Sequence, residues 1–317
     1  MTKTQHFTFA LVDEFTHVAL ACAVDPLRLA NLISNDVLYS WSYASLDGET
    51  ARSSDGTLIH VHHPFKELPS CDRLVVVSGM NVQTQDHSVL LAALRRKDRM
   101  SSTLISAVDS GAWILAKGGL LNARKAAIHW EFHDSFSEEF PEVALQRSVF
   151  VTEAKYQTAS GGAATADLML HIIEQTHGED LSIAIADQLV YNTVREGSAE
   201  QKVSLQSRNG TRNPHLYRAV SIMKDNIESP IQPSKIAEEL GISARQLERV
   251  FGKHLNTSPK RYYMELRLER ARKLLVQTEM SAIDVSIACG FNSPGHFARI
   301  YRTAFGVTPM MQKRRLS

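Results

Sequence analysis

The stretch Ser234-Lys235-Ile236-Ala237-Glu238-Glu239-Leu240-Gly241-Ile242-Ser243-Ala244-Arg245-Gln246-Leu247-Glu248-Arg249-Val250-Phe251 decides how the second part of the chain folds. A helix carrying the small Ala237 stops at Gly241, which can take a left-handed turn because it has no Cβ, and a second helix begins at once. Ser243 and Gln246 have the spacing of a capping box for that second helix. Its buried face would be Leu247, Phe251 and Leu255, which leaves Arg245, Gln246, Arg249 and Lys253 outside. About fifty residues later the layout recurs. Ser286, Gly290-Phe291, Ser293-Pro294, Phe297, Arg299 and Tyr301 take the places of Ala237, Gly241-Ile242, Ser243-Ala244, Leu247, Arg249 and Phe251, after one inserted residue near Asn292. Ser293 as N-cap and Pro294 at the first helical position make a strong start for the matching helix. Between the two units, Ser258-Pro259 opens a long amphipathic helix through Leu266, Leu268, Ala271, Leu274 and Leu275. A single pattern of this kind is often plain helix packing. Two copies at fixed spacing, joined by a basic helix, predict an all-α tandem helix-turn-helix domain.

Charge supports this reading. Residues 209–317 carry 18 Lys and Arg against 9 Asp and Glu, whereas residues 1–208 carry 17 against 25, so a net charge of +1 hides a basic part and an acidic part. That asymmetry is expected when one domain meets nucleic acid and the other does not. The Ser-, Asn-, Gly- and Arg-rich run ending at Pro214 reads as a linker over 201–214, between a domain at 1–200 and another at 215–317. At 317 residues, two cores are comfortable. Upstream, strand-like runs at Phe7–Val12, Trp41–Leu46, Arg73–Val77, Thr103–Val108, Ala126–His129 and Ser148–Val151 alternate with helical patterns near 18–34, 86–97, 110–117 and 131–139. Two further helices follow at Ala163–His177 and Asp180–Val194. Such alternation predicts an α/β fold with a mainly parallel open sheet and helices on both faces. No apolar run has membrane-spanning length, no signal-peptide core is visible, and three scattered cysteines (Cys22, Cys71, Cys289) lack disulfide or zinc spacing. A cytoplasmic protein without metal or cofactor is expected.

The basic part resembles the DNA-binding domain of AraC/XylS-type transcription regulators. The likeness is carried by Arg267-Leu268-Glu269-Arg270-Ala271-Arg272-Lys273-Leu274-Leu275, Ile287-Ala288-Cys289-Gly290-Phe291-Asn292-Ser293, Phe297-Ala298-Arg299-Ile300-Tyr301-Arg302 and Phe305-Gly306-Val307-Thr308-Pro309. It implies that the second helix of each unit enters a major groove of double-stranded DNA. Arg reads guanine and Gln reads adenine, so Arg245, Gln246 and Arg249 are base-reading candidates, with Gly295, His296 and Arg299 as their equivalents. Lys253, Arg302 and the tail Lys313-Arg314-Arg315 suit phosphates. For each arginine the competing reading is a solvated helix face.

The acidic part resembles the class I glutamine amidotransferase-like, PfpI-like sensor domain that precedes AraC-type domains. The residues concerned are Asp25-Pro26-Leu27-Arg28-Leu29-Ala30-Asn31, Ser45-Leu46-Asp47-Gly48, Ser54-Asp55-Gly56, Gly118-Gly119-Leu120-Leu121, His129-Trp130, Ser160-Gly161-Gly162 and Asp167-Leu168-Met169-Leu170. Nearly the whole chain thus resembles regulators of the GlxA type. In catalytic relatives a sharp strand-to-helix turn bears a cysteine, often followed by histidine. Here Asp109 and Ser110 stand at those places, and no acidic or metal partner pattern is visible nearby, so no catalytic residue is assigned. A ligand pocket is expected at the carboxyl ends of the strands, formed by Phe15, Asp25, Arg28, Ser78, Asn81, Asp109, Trp113, His129 and Trp130. A carboxylate with aromatic walls suits a cationic nitrogen, and Arg28 could hold a carboxylate at the other end. Trp113 and Trp130 as core aromatics, and Asp109 as a helix cap, are the competing readings. The resemblance implies a homodimeric regulator that senses an amino acid or a quaternary amine such as arginine, carnitine or glycine betaine. The alternative is an amidase or hydratase that uses Asp109 and carries an added DNA-binding domain.

Overall fold

The structure, a computed structural model, describes residues 3–100, 102–201 and 214–314, with the side chain of Arg314 outside the description. Two compact units separate at Met1–Gln201 and Lys202–Ser317. Apart from its end residues Gln201 and Pro214, the expected linker lies outside the described residues.

The first unit runs β1 (Gln5–Leu11), α1 (His17–Ser34), β2 (Tyr39–Ser45), β3 (Thr50–Arg52), β4 (Leu58–His60), β5 (His63–Pro64), β6 (Arg73–Val77), α2 (Ser88–Asp98), β7 (Leu104–Val108) and α3 (Gly111–Lys117). It continues with β8 (Lys125–Ala127), α4 (His133–Glu139), β9 (Ala144–Gln146), β10 (Phe150–Thr152), β11 (Tyr156–Ala159), α5 (Ala164–His177) and α6 (Glu179–Gln188). Seven strands form one sheet in the order β10-β11-β7-β6-β1-β2-β5. Every neighbouring pair is parallel except β10 and β11 at one edge. Alternation along β1 sends Phe7, Phe9 and Leu11 into a core shared with α1, α5 and α6, and Ala10 into a second core with α2, α3 and α4. Because both faces are covered, β6 can be apolar at four of its five positions and buried at all five.

Three expectations need correction. Of the expected strand Ala126–His129 only Ala126 and Ala127 are extended, as the end of β8, which pairs with β9 in a separate two-stranded sheet. The helix expected over Asp180–Val194 ends at Gln188, with Val190 in the left-handed region at φ 54°. Beyond it the chain returns to α5, where Arg195 and Tyr191 bond the fully buried carboxylate of Asp167. The strand β11 went unread because Tyr156-Gln157-Thr158-Ala159 has no apolar run, although it is central to pairing with β7.

The second unit comprises α7 (Pro214–Asp225), α8 (Pro233–Glu239), α9 (Ala244–Leu255), α10 (Pro259–Gln277), α11 (Ala282–Ala288), α12 (Pro294–Phe305) and α13 (Pro309–Arg314), with no strand among its described residues. Helices α8 and α9 share one core with α7 and the start of α10; α11 and α12 share another with the end of α10. The Ser243–Gln246 capping box is formed. Ser281–Asp284 makes a second one at the start of α11 that the sequence reading missed. Arg267 of α10 donates to the carbonyls of Cys289 (2.8 Å) and Gly290 (2.6 Å) and lies over the Phe291 ring, which fixes the second turn to the central helix.

The two turn glycines, Gly241 (φ 65°) and Gly290 (φ 72°), are equivalent in sequence but not in surroundings. A Cβ at Gly241 would meet nothing within 4 Å, whereas one at Gly290 would lie 2.5 Å from the Ile227 carbonyl oxygen and 2.6 Å from the Pro230 ring. Gly241→Ala should therefore cost only the left-handed penalty of about 1 kcal/mol. Gly290→Ala should cost about 3 kcal/mol or more, because backbone overlap is added. Urea unfolding of both variants checks this; equal losses would refute the packing difference.

Candidate effector site and nucleic-acid interface

At the carboxyl ends of the central strands, three non-glycine residues hold left-handed backbone conformations: Glu14 after β1 (φ 62°), Asn81 after β6 (φ 56°) and Asp109 after β7 (φ 62°). Such conformations persist only where the surroundings over-determine them, and they concentrate at functional sites. Asn81 donates its side-chain amide to Glu14, and Ser110 donates to the Gly79 carbonyl at 2.7 Å. The elbow can be this sharp because Gly111 passes under β6, where a Cβ would stand 2.7 Å from the Val76 oxygen.

Asp109 is 6% exposed. Burial pushes its carboxyl up to about 7, against the opposing hydrogen bonds of the Thr16 hydroxyl and the Ser110 amide; the charge of Glu131 raises it further. Gly161 (φ 90°) presses against this carboxylate, since a Cβ there would lie 2.5 Å from Oδ2. The Asp109 carbonyl accepts the His129 amide at 3.2 Å. Contrary to the sequence reading, a second carboxylate is therefore near: Glu131, 3.7 Å from His129 Nδ1. Thr16, Glu14 and Glu131 carried no sequence signal as site residues, whereas Gly161 stood in a visible Gly-Gly pair.

The remaining candidates divide. Ser78 is fully buried beside Asp109, its hydroxyl without a hydrogen-bond partner among the described residues. Phe15 is fully buried and bridges the main chain of Ser53 and Gly79. His129 and Trp130 are half-buried, with ring centroids 5.4 Å apart. Trp113 is placed elsewhere: it is 3% exposed and meets Phe132, Phe136 and Phe140 edge-on, so it belongs to the core. Asp25 and Arg28 pair with each other at 2.9 Å on the outer side of α1. They start about 12 Å along that helix from its first residue, because each residue rises 1.5 Å. The thiols of Cys22 and Cys71 are pushed up by burial, as expected of inert cysteines.

In the second unit, Arg245, Arg249 and Lys253 are exposed along α9. Gln246 is exposed too, but its Oε1 accepts the Ser243 amide (2.8 Å) and hydroxyl (3.1 Å). A two-pronged adenine contact needs that oxygen, so Gln246 cannot cap and read at once. On α12, Gly295 offers no side chain. Arg299 donates to Nδ1 of His296 at 3.1 Å, which places the imidazole proton on Nε2, facing outward as a donor. Ala298, Arg299, Arg302, Thr303 and Thr308 line an open hollow of about 470 Å³; the Thr303 hydroxyl donates to the Arg299 carbonyl and the Thr308 hydroxyl accepts the Met311 amide. Lys313 is tied to the Glu279 and Met280 carbonyls, so its expected phosphate role would require it to let go of them. Arg315, the other expected tail contact, and the Arg314 side chain lie outside the described residues.

Residues 9–175 match the DJ-1/PfpI family and residues 236–315 a helix-turn-helix domain. The chain is 41% identical over 308 residues to the HTH-type transcriptional regulator GbdR of Pseudomonas aeruginosa, covering 96% of this chain and 83% of that one. It is 36% identical over 310 residues to the regulator CdhR of the same species (98% and 92% covered) and 34% identical over 314 residues to the regulator GlxA of Rhizobium meliloti (99% and 97%). Among solved structures, an AraC family transcriptional regulator from Pseudomonas putida superposes with a TM-score of 0.53 at 25% identity, over 58% of this chain and 99% of that one. Drosophila melanogaster DJ-1beta shares the fold, with a TM-score of 0.51 at 18% identity over 60% of this chain and all of that one. The chain belongs to the HTH-type transcriptional regulators in which a DJ-1/PfpI-family domain is followed by an AraC-type DNA-binding domain.

Proposed function

We propose that this DNA-binding regulator senses a small nitrogenous metabolite, an amino acid or quaternary amine, at the Asp109 elbow, and that the elbow performs no chemistry. The observation that carries the reading is a buried carboxylate held at φ 62° where catalytic relatives place a nucleophile. Neither a cysteine nor a histidine stands beside it on the turn. A cationic nitrogen would neutralise it, and Trp130 is the aromatic group left to wall the site now that Trp113 is assigned to the core.

Binding of a cation requires the ionised carboxylate. With the free carboxyl at about 7, the ionised fraction falls as pH drops, so affinity is full above that value and lost below it. For a quaternary amine, whose own charge does not titrate, Kd should weaken about tenfold between pH 8 and pH 6. Asp109→Asn should abolish the pH dependence and weaken binding about a hundredfold at pH 8. Calorimetric titration with the best hit from a thermal-shift panel of amino acids and methylated amines measures both. A flat wild-type profile with an unchanged Kd in the variant removes Asp109 from the site.

One observation favours a second reading. A buried carboxyl that titrates near neutrality beside Glu131 could serve as the general acid of an amidase or hydratase. Asp109-dependent turnover of amides or glyoxals by the full chain would install that reading in place of the first.

On DNA, Arg245 and Arg249 read bases, His296 and Arg299 form a weaker reading pair, and Lys253 and Arg302 hold phosphates. Arg245→Ala and Arg249→Ala should each cost about 1–3 kcal/mol of specific binding while sparing non-specific binding. Arg302→Ala should weaken all sequences alike and lower the salt slope by about one. Equal losses on specific and random DNA in all three variants would move the reading surface elsewhere.

The regulator acts in the cytoplasm as a homodimer formed through residues 1–200, which places two such modules on similar half-sites. Exposed Leu32, Ile33 and Val37 at the end of α1 supply apolar surface for that contact. Sedimentation of the 1–200 fragment at tens of micromolar should show a dimer. A monomeric fragment beside a dimeric full chain would place the interface elsewhere.

A further inference from the structure

The last residues of the first unit are fastened to the wall of the Asp109 site. The Asp109 carbonyl holds the His129 amide, and the preceding residue, Ile128, is fully buried. The Ile128 carbonyl accepts from two side chains, His133 Nε2 at 3.1 Å and Gln201 Nε2 at 2.9 Å. The Gln201 amide also reaches the Ser148 carbonyl at 2.9 Å. Main-chain bonds from Val149 to Ala199 (2.8 Å) and from Gln201 to Arg147 (3.2 Å) lay residues 199–201 antiparallel to the strand that leads into β10. Gly197 packs on the Phe150 ring, where a Cβ would approach within 3.0 Å.

Gln201 is where the first compact unit ends, so whatever holds it fixes the point at which the chain leaves that unit. Its clasp is also poised to open. The Oε1 atom of Gln201 is buried with no hydrogen-bond partner among the described residues, which offsets part of what the amide donors gain. On the side of the turn, Gln201 Nε2 meets the Ile128 carbonyl, one peptide away from His129, and lies 3.3 Å from His133 Nε2.

We propose that Gln201 is the positioning residue that couples the Asp109 site to the DNA-binding unit. A ligand that draws the His129–Trp130 turn inward moves the Ile128 carbonyl away from Gln201, and residues 197–201 peel from the sheet edge. The point at which the chain leaves the first unit then moves back from Gln201 to about residue 196. The direction of this effect rests on the reading of the Asp109 site as the effector site; the coupling itself does not.

Hydrogen exchange on the full-length protein tests the coupling without a ligand. Gln201→Ala, and Gln201→Glu, which keeps the size but loses the donors, should speed exchange about tenfold in two places. One is 147–149 with 197–201; the other is the 128–133 turn, across the clasp. Reciprocally, Asp109→Asn should speed exchange of the Val149 and Gln201 amides. A structural anchor would loosen only its own segment, so unchanged exchange at 128–133 in both Gln201 variants overturns the proposal. A second arm adds glycine betaine, carnitine or arginine at millimolar concentration. A probe that alters exchange around Asp109 should release 197–201 and change DNA affinity in the wild type, and leave DNA affinity unchanged in Gln201→Ala. If none of the three touches the Asp109 region, the effector reading fails, while the reciprocal variants still decide the clasp.

Discussion

A carboxylate forced into a left-handed backbone position at the end of a buried parallel strand is the constraint around which the first unit is arranged. Asp109 has φ 62° and almost no exposure, so every segment meeting it must be shaped to fit. Gly161 and Gly111 allow close approach of two loops; Gly79 receives the Ser110 hydroxyl; Thr16 and the Ser110 amide satisfy the carboxyl; the His129 amide takes the carbonyl. A plain helix cap would not require such an assembly. Strain of this kind costs on the order of 1–3 kcal/mol and persists only where the surroundings over-determine it. The same burial makes the carboxyl sensitive to charge: a cation nearby would ionise it, and a second carboxylate, Glu131, works the other way.

In the second unit a comparable role falls to α10. Two helix pairs, each too small to bury a core of its own, share opposite ends of one long helix. Arg267 is a structural arginine despite its place in a basic domain: it donates to the carbonyls of Cys289 and Gly290 at the second turn. Arg245, Arg249 and Arg302 are exposed and make no such side-chain contacts among the described residues. Charge count alone does not separate these two kinds of arginine, but burial does.

The second helices of the two turns, α9 and α12, are also unequal. Both start with a serine cap, yet α9 offers two arginines and a lysine, while α12 offers a glycine, a histidine bonded to an arginine, and a flanking hollow beside Arg299 and Arg302.

Much of this was legible in the chain itself. Apolar periodicity and turn chemistry are local properties, so the alternation of strands and helices, the tandem turns at Gly241 and Gly290 and the capping box at Ser243 could be read directly. The same holds for the charge asymmetry and for the absence of a Cys–His pair at the elbow. Missed features depend on partners far away in sequence. Strand β11 is polar, and it forms because β7 offers it a ladder. Trp113 joins the core because Phe132, Phe136 and Phe140 surround it, and Asp25 is paired because Arg28 lies one helical turn on. The sequence determined which groups exist and which backbone shapes they favour, since these follow from bonded and near-neighbour sterics. The tertiary structure alone decided which carboxylate is desolvated, which arginine is occupied and what Gln201 holds, because desolvation and hydrogen-bond competition are set by whatever the fold brings within a few ångströms.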